Sequence, residues 1–497
     1  MIPRIWACAL AVLVSACGAE PPATPPPPAP DAGYAPGGGA PTIPSVGSAG
    51  VDQHFALGKD VSGEWWGLFH SPALDELLAQ AVAGNRNLAA AHASLAAAHD
   101  AVMVAAGGFY PQVDFGGGAE RQRNNFKAVG LTGFPPKEFN VYSFGPTVSY
   151  TFNPAGLTTH QVEHEQALED VQSHELTAAY LALTGSAVTE AITIASFAAQ
   201  IKEVDDMLAD DQQNLRLVKD EVTAGAGTEL DIETANSQLA ADRTLLPPLR
   251  QQLSVAQHAL AVLVGKSPAN WTPPAFALEQ LTLPVELPVS LPSALAHQRP
   301  DILAAEAQLH VASAAVGVAN AQLYPQLTLS ADVMQQFLKP DTIFDPMSNI
   351  WSIGMNLAAP IFHGGSLHAQ KREAEDTYEA TLASYEQTVL SAFGQVADTL
   401  DGLAHDSEQL AAEQAAYQSA DATVRLTRTS YSLGNASLLQ VLDAQRQLQQ
   451  ARLGLARAEA QRYLDSAQLF VALGGGWWNN PPPGAVVDTA APANVRP

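Results

Sequence analysis

The sequence predicts a mainly α-helical chain that also supplies four β-strands to a membrane barrel it cannot close alone, and three observations predict it. First, the chain repeats itself. Asn87-Leu88 through Tyr110-Pro111-Gln112-Val113 returns as Asp301-Ile302 through Tyr324-Pro325-Gln326-Leu327, 214 positions later. Gly225, Leu230, Ala235, Gln238 and Leu239 likewise return as Gly434, Leu439, Ala444, Gln447 and Leu448, 209 positions later. A duplication of this length means two copies of one structural unit, interleaved in one body. Second, long alanine-rich segments carry helical apolar spacing with few breakers. Third, each copy holds two short segments in which apolar and polar residues alternate.

At the N-terminus, Arg4, the apolar run Ile5 to Val14 and Val14-Ser15-Ala16-Cys17 have the layout of a secretory signal over 1–16, ending in a sequence similar to a bacterial lipobox. On that reading Cys8 leaves with the signal and Cys17 becomes an acylated N-terminus, so neither cysteine remains for a disulfide, a metal site or a thiol nucleophile. A diacylglyceryl group with an added acyl chain supplies the two hydrophobic signals that stable anchoring needs. Gly18 rather than aspartate follows the cysteine, which by resemblance to bacterial lipoproteins points to the outer membrane. Residues 17–50 are dense in Pro, Gly, Ala and Ser and read as an extended tether; 474–497 read as a disordered tail.

The first repeat is expected over 51–267, with helices at 85–107, 155–222 and 228–264. After an equatorial linker at 268–299, the second spans 300–473, with helices at 300–322, 364–433 and 437–473. At ~1.5 Å per residue, the two segments of nearly seventy residues run to roughly 100 Å each, the length of coiled-coil rods rather than of globular helices. Pro247-Pro248 predicts a kink or break in the 228–264 segment, because two amide hydrogens are missing. No stretch of 18 apolar residues follows the leader, so no helical membrane span is expected.

The strands are placed at 112–122, 142–152, 326–336 and 350–361. Tyr142, Phe144, Val148, Tyr150 and Phe152 alternate with Ser143, Gly145, Thr147, Ser149 and Thr151, and Trp351, Ile353, Met355 and Leu357 alternate with small or polar residues. About ten residues of such alternation is what a barrel strand needs, apolar toward lipid and polar toward a lumen. A half-buried soluble sheet has the same pattern, and the secretory leader decides for the membrane. Four strands cannot close a barrel, and an open edge cannot lie in lipid with its amides unsatisfied. The barrel must therefore be shared. Two chains would give eight strands and a filled interior; three give twelve and a wide pore, hence a homotrimer with a 12-stranded barrel.

Charge narrows the partners. Asp and Glu outnumber Lys and Arg by 50 to 24, and a formal charge of −26 excludes nucleic acid as a partner and fits a cation-tolerant surface or channel.

Several fragments together resemble one family. Arg299-Pro300-Asp301-Ile302-Leu303-Ala304-Ala305-Glu306-Ala307, Val316-Gly317-Val318-Ala319 and Leu323-Tyr324-Pro325-Gln326-Leu327 are similar to the signature of TolC-like outer-membrane factors of tripartite efflux systems, in their lipoprotein branch. Leu246-Pro247-Pro248-Leu249, Pro360-Ile361-Phe362-His363-Gly364-Gly365, Leu442-Asp443-Ala444-Gln445-Arg446 and Ala472-Leu473-Gly474-Gly475-Gly476-Trp477 strengthen the resemblance, which runs from about Trp65 to Trp477.

The resemblance implies a trimeric tube whose barrel continues into a twelve-helix coiled-coil tunnel. It also implies partnership with a periplasmic adaptor and an inner-membrane RND-type transporter, contact with outer-membrane lipid, and neither catalytic residues nor cofactor. It implies a periplasmic gate as well: Gly225 and Gly434 at helical-hairpin turns, Asp443 as a carboxylate ring, Leu439 as an apolar plug, and Tyr431 and Arg446 in the contacts that hold the gate shut. Asp231 occupies the matching place in the first repeat. Its own counterpart is Gln440, so one acidic ring is missing.

The outer-membrane channel of a type I protein secretion system is the nearest alternative. A catalytic reading rests on His160-Gln161-Val162-Glu163-His164, which spells the inverted zinc-protease motif with two imidazoles one helical turn apart. A trimeric surface stalk would share the coiled coil and lipid anchor but has no use for two pairs of amphipathic strands.

Overall fold

The computed structural model describes residues 52–124, 135–290 and 292–481. The leader 1–16, Cys17, the tether 17–50, part of the first outer loop and the end of the tail lie outside the described residues. The strands are β1 (His54–Leu57), β2 (Gln112–Asn124), β3 (Lys137–Phe152), β4 (Glu286–Val289), β5 (Gln326–Phe337) and β6 (Asn349–Ala358). The principal helices are α1 (Pro72–Gly84), α2 (Arg86–Ala106), α3 (Leu157–Thr223), α4 (Glu229–Arg243), α5 (Leu246–Leu263), α6 (Pro300–Ala321), α7 (Ser366–Ser432) and α8 (Leu438–Ala472). The chain forms two compact units, and they do not follow the repeats: each takes a portion of both.

One unit comprises, among the described residues, Ala96–Val171 and Glu306–Tyr385. Its centre is a four-stranded antiparallel sheet in the order β2-β3-β5-β6. Directly paired residues share a face, so the register sorts the sheet into rows. Val113, Val148, Ala331 and Ile353 make one row, and the adjacent row, on the other face, is Asp114, Thr147, Asp332 and Ser352. All ten residues of β6 are exposed, Ile353 to 78% and Trp351 to 65%, so the chain itself covers neither face of that strand. β2 and β6 each have one neighbour, which leaves two open edges. The β3–β5 ladder skips Gly145 and Pro146; proline has no amide to donate, and a Cβ on Gly145 would lie 2.0 Å from the Val333 carbonyl oxygen.

Five strand ends differ from the sequence expectation, two of them by three residues or more. β3 begins at Lys137 rather than at 142, because the hairpin ladder with β2 continues to Asn124↔Lys137 and Arg121 pairs with Glu138 across it at 3.3 Å. Glu138, which looks like loop, is here a cross-strand partner. β6 ends at Ala358 rather than 361, one residue short of the Ala359-Pro360 step that disrupts a ladder. The helical part of this unit packs small side chains: Ala167 and Val171 of α3 against Ala307 and Val311 of α6.

The second unit comprises residues up to Leu95, Gln172–Ala305 and Glu386 onward, among those described. Its core gathers Trp65, Phe69, Leu74, Leu77 and Leu78 against Leu260 of α5 and Tyr463 and Phe470 of α8. Trp65 stacks on Phe470 with centroids 5.3 Å apart. The segment expected as a linker, 268–299, is part of this core: Phe276, Leu278, Leu281, Leu283, Leu287 and Leu295 are buried, and β4 pairs in parallel with β1. Arg299 locks its end, reaching Asp301 at 2.6 Å, Gln395 at 2.9 Å and the Ala472 carbonyl at 2.9 Å.

The tail starts later than expected. Gly474, Gly475 and Gly476 all take positive φ, turning the chain so that Trp477 is buried and donates to the Gln298 carbonyl at 2.7 Å, while Asn479 reaches the Val61 carbonyl. A glycine run that reads as flexible is a three-residue left-handed turn.

The break expected at Pro247-Pro248 within 228–264 is present, just upstream at Thr244–Leu245. Pro247 and Pro248 fall in the first turn of α5, where amide hydrogens have no helical acceptor, so the prolines open the second helix. By length and composition alone, α3, α6 and the stretch Arg86–Phe109 are apolar enough to cross a membrane, although none holds 18 consecutive apolar residues. Alanine accounts for much of that hydropathy, and half of the α3 stretch is buried within the chain.

Candidate functional site: the helical hairpin turns

Two turns reverse the chain between long helices in the second unit, and they are built alike. After α3, the Ala226 amide donates to the Glu221 carbonyl at 2.8 Å and the Gly225 amide to the Val222 carbonyl at 3.0 Å. After α7, the Asn435 amide donates to the Ser430 carbonyl at 2.8 Å and the Gly434 amide to the Tyr431 carbonyl at 2.9 Å. This paired closure requires a left-handed residue, and Gly225 and Gly434 sit at φ +76° and +75°.

The outgoing helices are capped reciprocally. The Asp231 carboxylate accepts from the Thr228 amide at 2.8 Å and hydroxyl at 2.7 Å, while the Gln440 side chain accepts from the Ser437 amide at 2.9 Å. Asp231 and Gln440 are therefore the same structural residue, the third position of a capping box, and either an acid or an amide serves. This explains why the repeat changes charge there without changing shape. The Thr228 hydroxyl and amide hold the Asp231 carboxyl below its usual range.

The other expected gate residues separate into two contacts. Asp443 and Arg446 pair at 3.1 Å one turn apart on the exposed face of α8, whose opposite face buries Leu442, Ala444 and Gln445. Tyr431, on the last turn of α7, donates its hydroxyl to Glu221 on the last turn of α3, tying one hairpin to the other. Partial burial and the Glu221 carboxylate push the phenol up to about 12, with the Asp231 charge adding to the effect, so Tyr431 stays a donor at any physiological pH. Leu439 is 60% exposed, and Leu230, its counterpart, 74%. Apolar side chains of that size on a helix end are free to meet another surface.

Sequence reasoning missed Glu221 and the capping partners. The caps were legible as Thr228-Glu229-Leu230-Asp231 and Ser437-Leu438-Leu439-Gln440. Glu221 carried no signal beyond its place one turn before Gly225.

In the His160-Gln161-Val162-Glu163-His164 stretch the two imidazoles turn to different carboxylates. His160 pairs with Glu163 at 2.7 Å and packs over Gly317, where a Cβ would lie 2.7 Å from the ring, and His164 turns to Glu165 at 3.3 Å. Among the described residues no three His, Cys, Asp or Glu side chains converge on a metal position.

The profile of the outer membrane efflux protein family matches residues 77–266 and again 291–475, starting 214 and ending 209 positions apart, the two offsets of the internal repeat. The chain belongs to this family. The pyoverdine export outer membrane protein OpmQ of Pseudomonas aeruginosa is 31% identical over 83% of this chain and 87% of its own. The cation efflux system protein CusC of Escherichia coli K12 is 27% identical over 83% and 88%. Among solved structures, the outer-membrane channel OprN superposes with a TM-score of 0.81 at 27% identity, over 89% of this chain and 99% of that one. The channel VceC of Vibrio cholerae, at 24% identity and a TM-score of 0.76, shows the same fold. This efflux protein thus resides in the outer membrane, and the relatives are export and efflux channels rather than enzymes.

Proposed function

We propose that this efflux protein works as a homotrimeric exit duct of a tripartite pump. Three copies of the β2-β3-β5-β6 sheet close a twelve-stranded barrel, and the α-helices continue it as a tunnel on the periplasmic side. The observation that carries the reading is the open four-stranded sheet: its mainly apolar face suits lipid, but its two unpaired edges are untenable there for one chain and are resolved by closure with others. On this reading the row Val113, Val148, Ala331 and Ile353 meets lipid, and the row Asp114, Thr147, Asp332 and Ser352 meets the lumen.

The duct conducts passively. Pyoverdine and cations, for which the two relatives above are named, are different cargoes, which fits selection by an inner-membrane RND-type transporter reached through a periplasmic adaptor. The same small cargoes favour efflux over type I protein secretion. Cys17, outside the described residues, is proposed as the lipidated anchor; loss of incorporated palmitate in Cys17→Ala would support it, and unchanged incorporation would end it.

The gate is proposed to lie at the hairpin turns, with Gly225 and Gly434 reversing the helices, Tyr431 and its partner Glu221 joining them, Asp443 with Arg446 facing the aperture, and Leu230 beside Leu439 as apolar closure. Asp231 is retained there as a cap whose charge lies near the aperture. Planar-bilayer recording of the purified protein tests the whole reading: discrete channel openings are expected, and a preparation that inserts but never conducts refutes it.

A further inference from the structure

The second unit holds two pairs of acids, one buried and one half-buried, that neither the repeat nor the gate uses. Asp211 of α3 is 3% exposed and Asp242 of α4 is 8% exposed, within hydrogen-bonding reach of each other. Gln238 donates to Asp242 Oδ2 at 2.7 Å, while Asp211 Oδ2 is buried with no donor in the protein. The surrounding cluster is apolar: Val204, Met207, Leu208, Leu239, Leu246 and Leu249. A carboxylate oxygen left in such a place without a donor costs several times what an ordinary hydrogen bond returns, and two ionised carboxylates side by side cost more. The second repeat, 209 positions on, places Ala420 and Ala451 at these sites, both in the apolar contact between α7 and α8. The helix pair packs without acids, so packing alone does not call for them.

We propose that Asp211 and Asp242 share a single proton across the α3–α4 contact, and that this proton makes the cohesion of the first hairpin depend on pH. Of the groups that bear on Asp211, Asp242 from α4 and Asp210 from its own helix are negative and favour a proton as the occupant, while the side-chain hydrogen bond of Gln449 from α8 opposes them and is outweighed. Among the described residues no cluster of three ligands offers a metal instead. Burial, then Asp242, push the Asp211 carboxyl up from 3.8 to about 7.

The second hairpin carries an analogous pair at another level. Asp406 of α7 faces Asp465 of α8, its Oδ2 is also buried without a donor, and burial followed by Asp465 pushes it up to about 8 against the opposing charge of Arg462. Gln461 donates to Asp465 at 2.9 Å, as Gln238 does to Asp242. Each hairpin thus has its own acid pair, placed where the other repeat is apolar.

The sign follows from linkage. The closed hairpin holds the proton with a raised affinity, and the opened hairpin releases it with that of a solvated carboxyl. Closure is therefore strongest below about pH 4 and weakens by up to tenfold per pH unit until about pH 7 for the first pair, beyond which it is level. Only the bearing on gating rests on the proposed function; the proton itself does not.

Hydrogen exchange by mass spectrometry on the full detergent-solubilised protein, corrected for intrinsic rates, tests it at about pH 5, 6, 7 and 8.5. Peptides spanning α3 and α4 near Asp211 should open progressively more up to about pH 7 and then level off. Asp211→Asn, and the Asp211→Ala/Asp242→Ala double substitution that copies the second repeat, should abolish that slope, while Asp406→Asn leaves it intact. Infrared spectra near pH 6 should show a carboxylic-acid carbonyl band that Asp211→Asn reduces. A flat exchange profile in the unmodified protein, a slope that survives Asp211→Asn, or no protonated carboxyl near pH 6 overturns the proposal. Since neither readout needs ion conduction, failure here is distinct from failure of the channel reading.

Discussion

Tyr431 and Glu221 make the contact on which the proposed closed state turns, because it is made between hairpins rather than within one. A hydrogen bond to a charged group contributes about 1.5–3 kcal/mol when half-buried, so Tyr431→Phe should raise the open probability of the channel in a bilayer by about tenfold or more. An unchanged open probability would reduce this contact to a bystander. Asp443→Ala acts differently: its pair with Arg446 is exposed and local to α8, so its removal should leave the hairpin contacts alone and raise single-channel conductance by clearing charge from the aperture. No change in conductance would remove Asp443 from the gate. At this scale the sequence was a partial guide. Gly225 and Gly434 were legible because only a left-handed residue closes such a turn, whereas Glu221 acquires its role from a tertiary contact 210 residues away, which no local pattern encodes.

Strands and helices were more legible than residues, for a physical reason: periodicity records which face is buried. The alternation in 142–152 and 350–361 specified which residues share a face before the register was known. It could not specify ends, because Arg123 and Glu138 look like loop in one dimension and form a ladder rung in three. The sheet makes a prediction of its own. Trp351→Asp would set a charge on the proposed lipid-facing row, at a cost below the ~2–4 kcal/mol of a basic residue at the bilayer midplane, and should deplete the protein from outer-membrane fractions. Ser352→Asp, on the lumen row one residue away, should insert normally. If both behave alike, the assignment of faces is wrong. Gly145 gives a second check, since any side chain there drives into the Val333 carbonyl: Gly145→Val should lower heat resistance of the assembled protein on gels far more than Gly116→Val, where a Cβ meets nothing within 4 Å.

For the whole molecule, the duplication was the feature most readily seen and the one that explained most. It set two hairpins, two strand pairs and two glycine turns, and the family profile matches at the same offsets. What duplication hid was the way the copies are shared out: each compact unit draws on both repeats, and the segment at 268–299 together with Gly474–Asn480 is packed structure rather than linker and tail. Those stretches have no period to read; they are specified by single long-range bonds such as Trp477 to the Gln298 carbonyl and Arg299 to the Ala472 carbonyl. The central claim is that one subunit is an unfinished wall. Native mass spectrometry of protein extracted from outer membranes in mild detergent tests it most directly: the account predicts one dominant species of three chains, each of about 50 kDa after removal of the leader, and a folded single chain as the dominant species would contradict it.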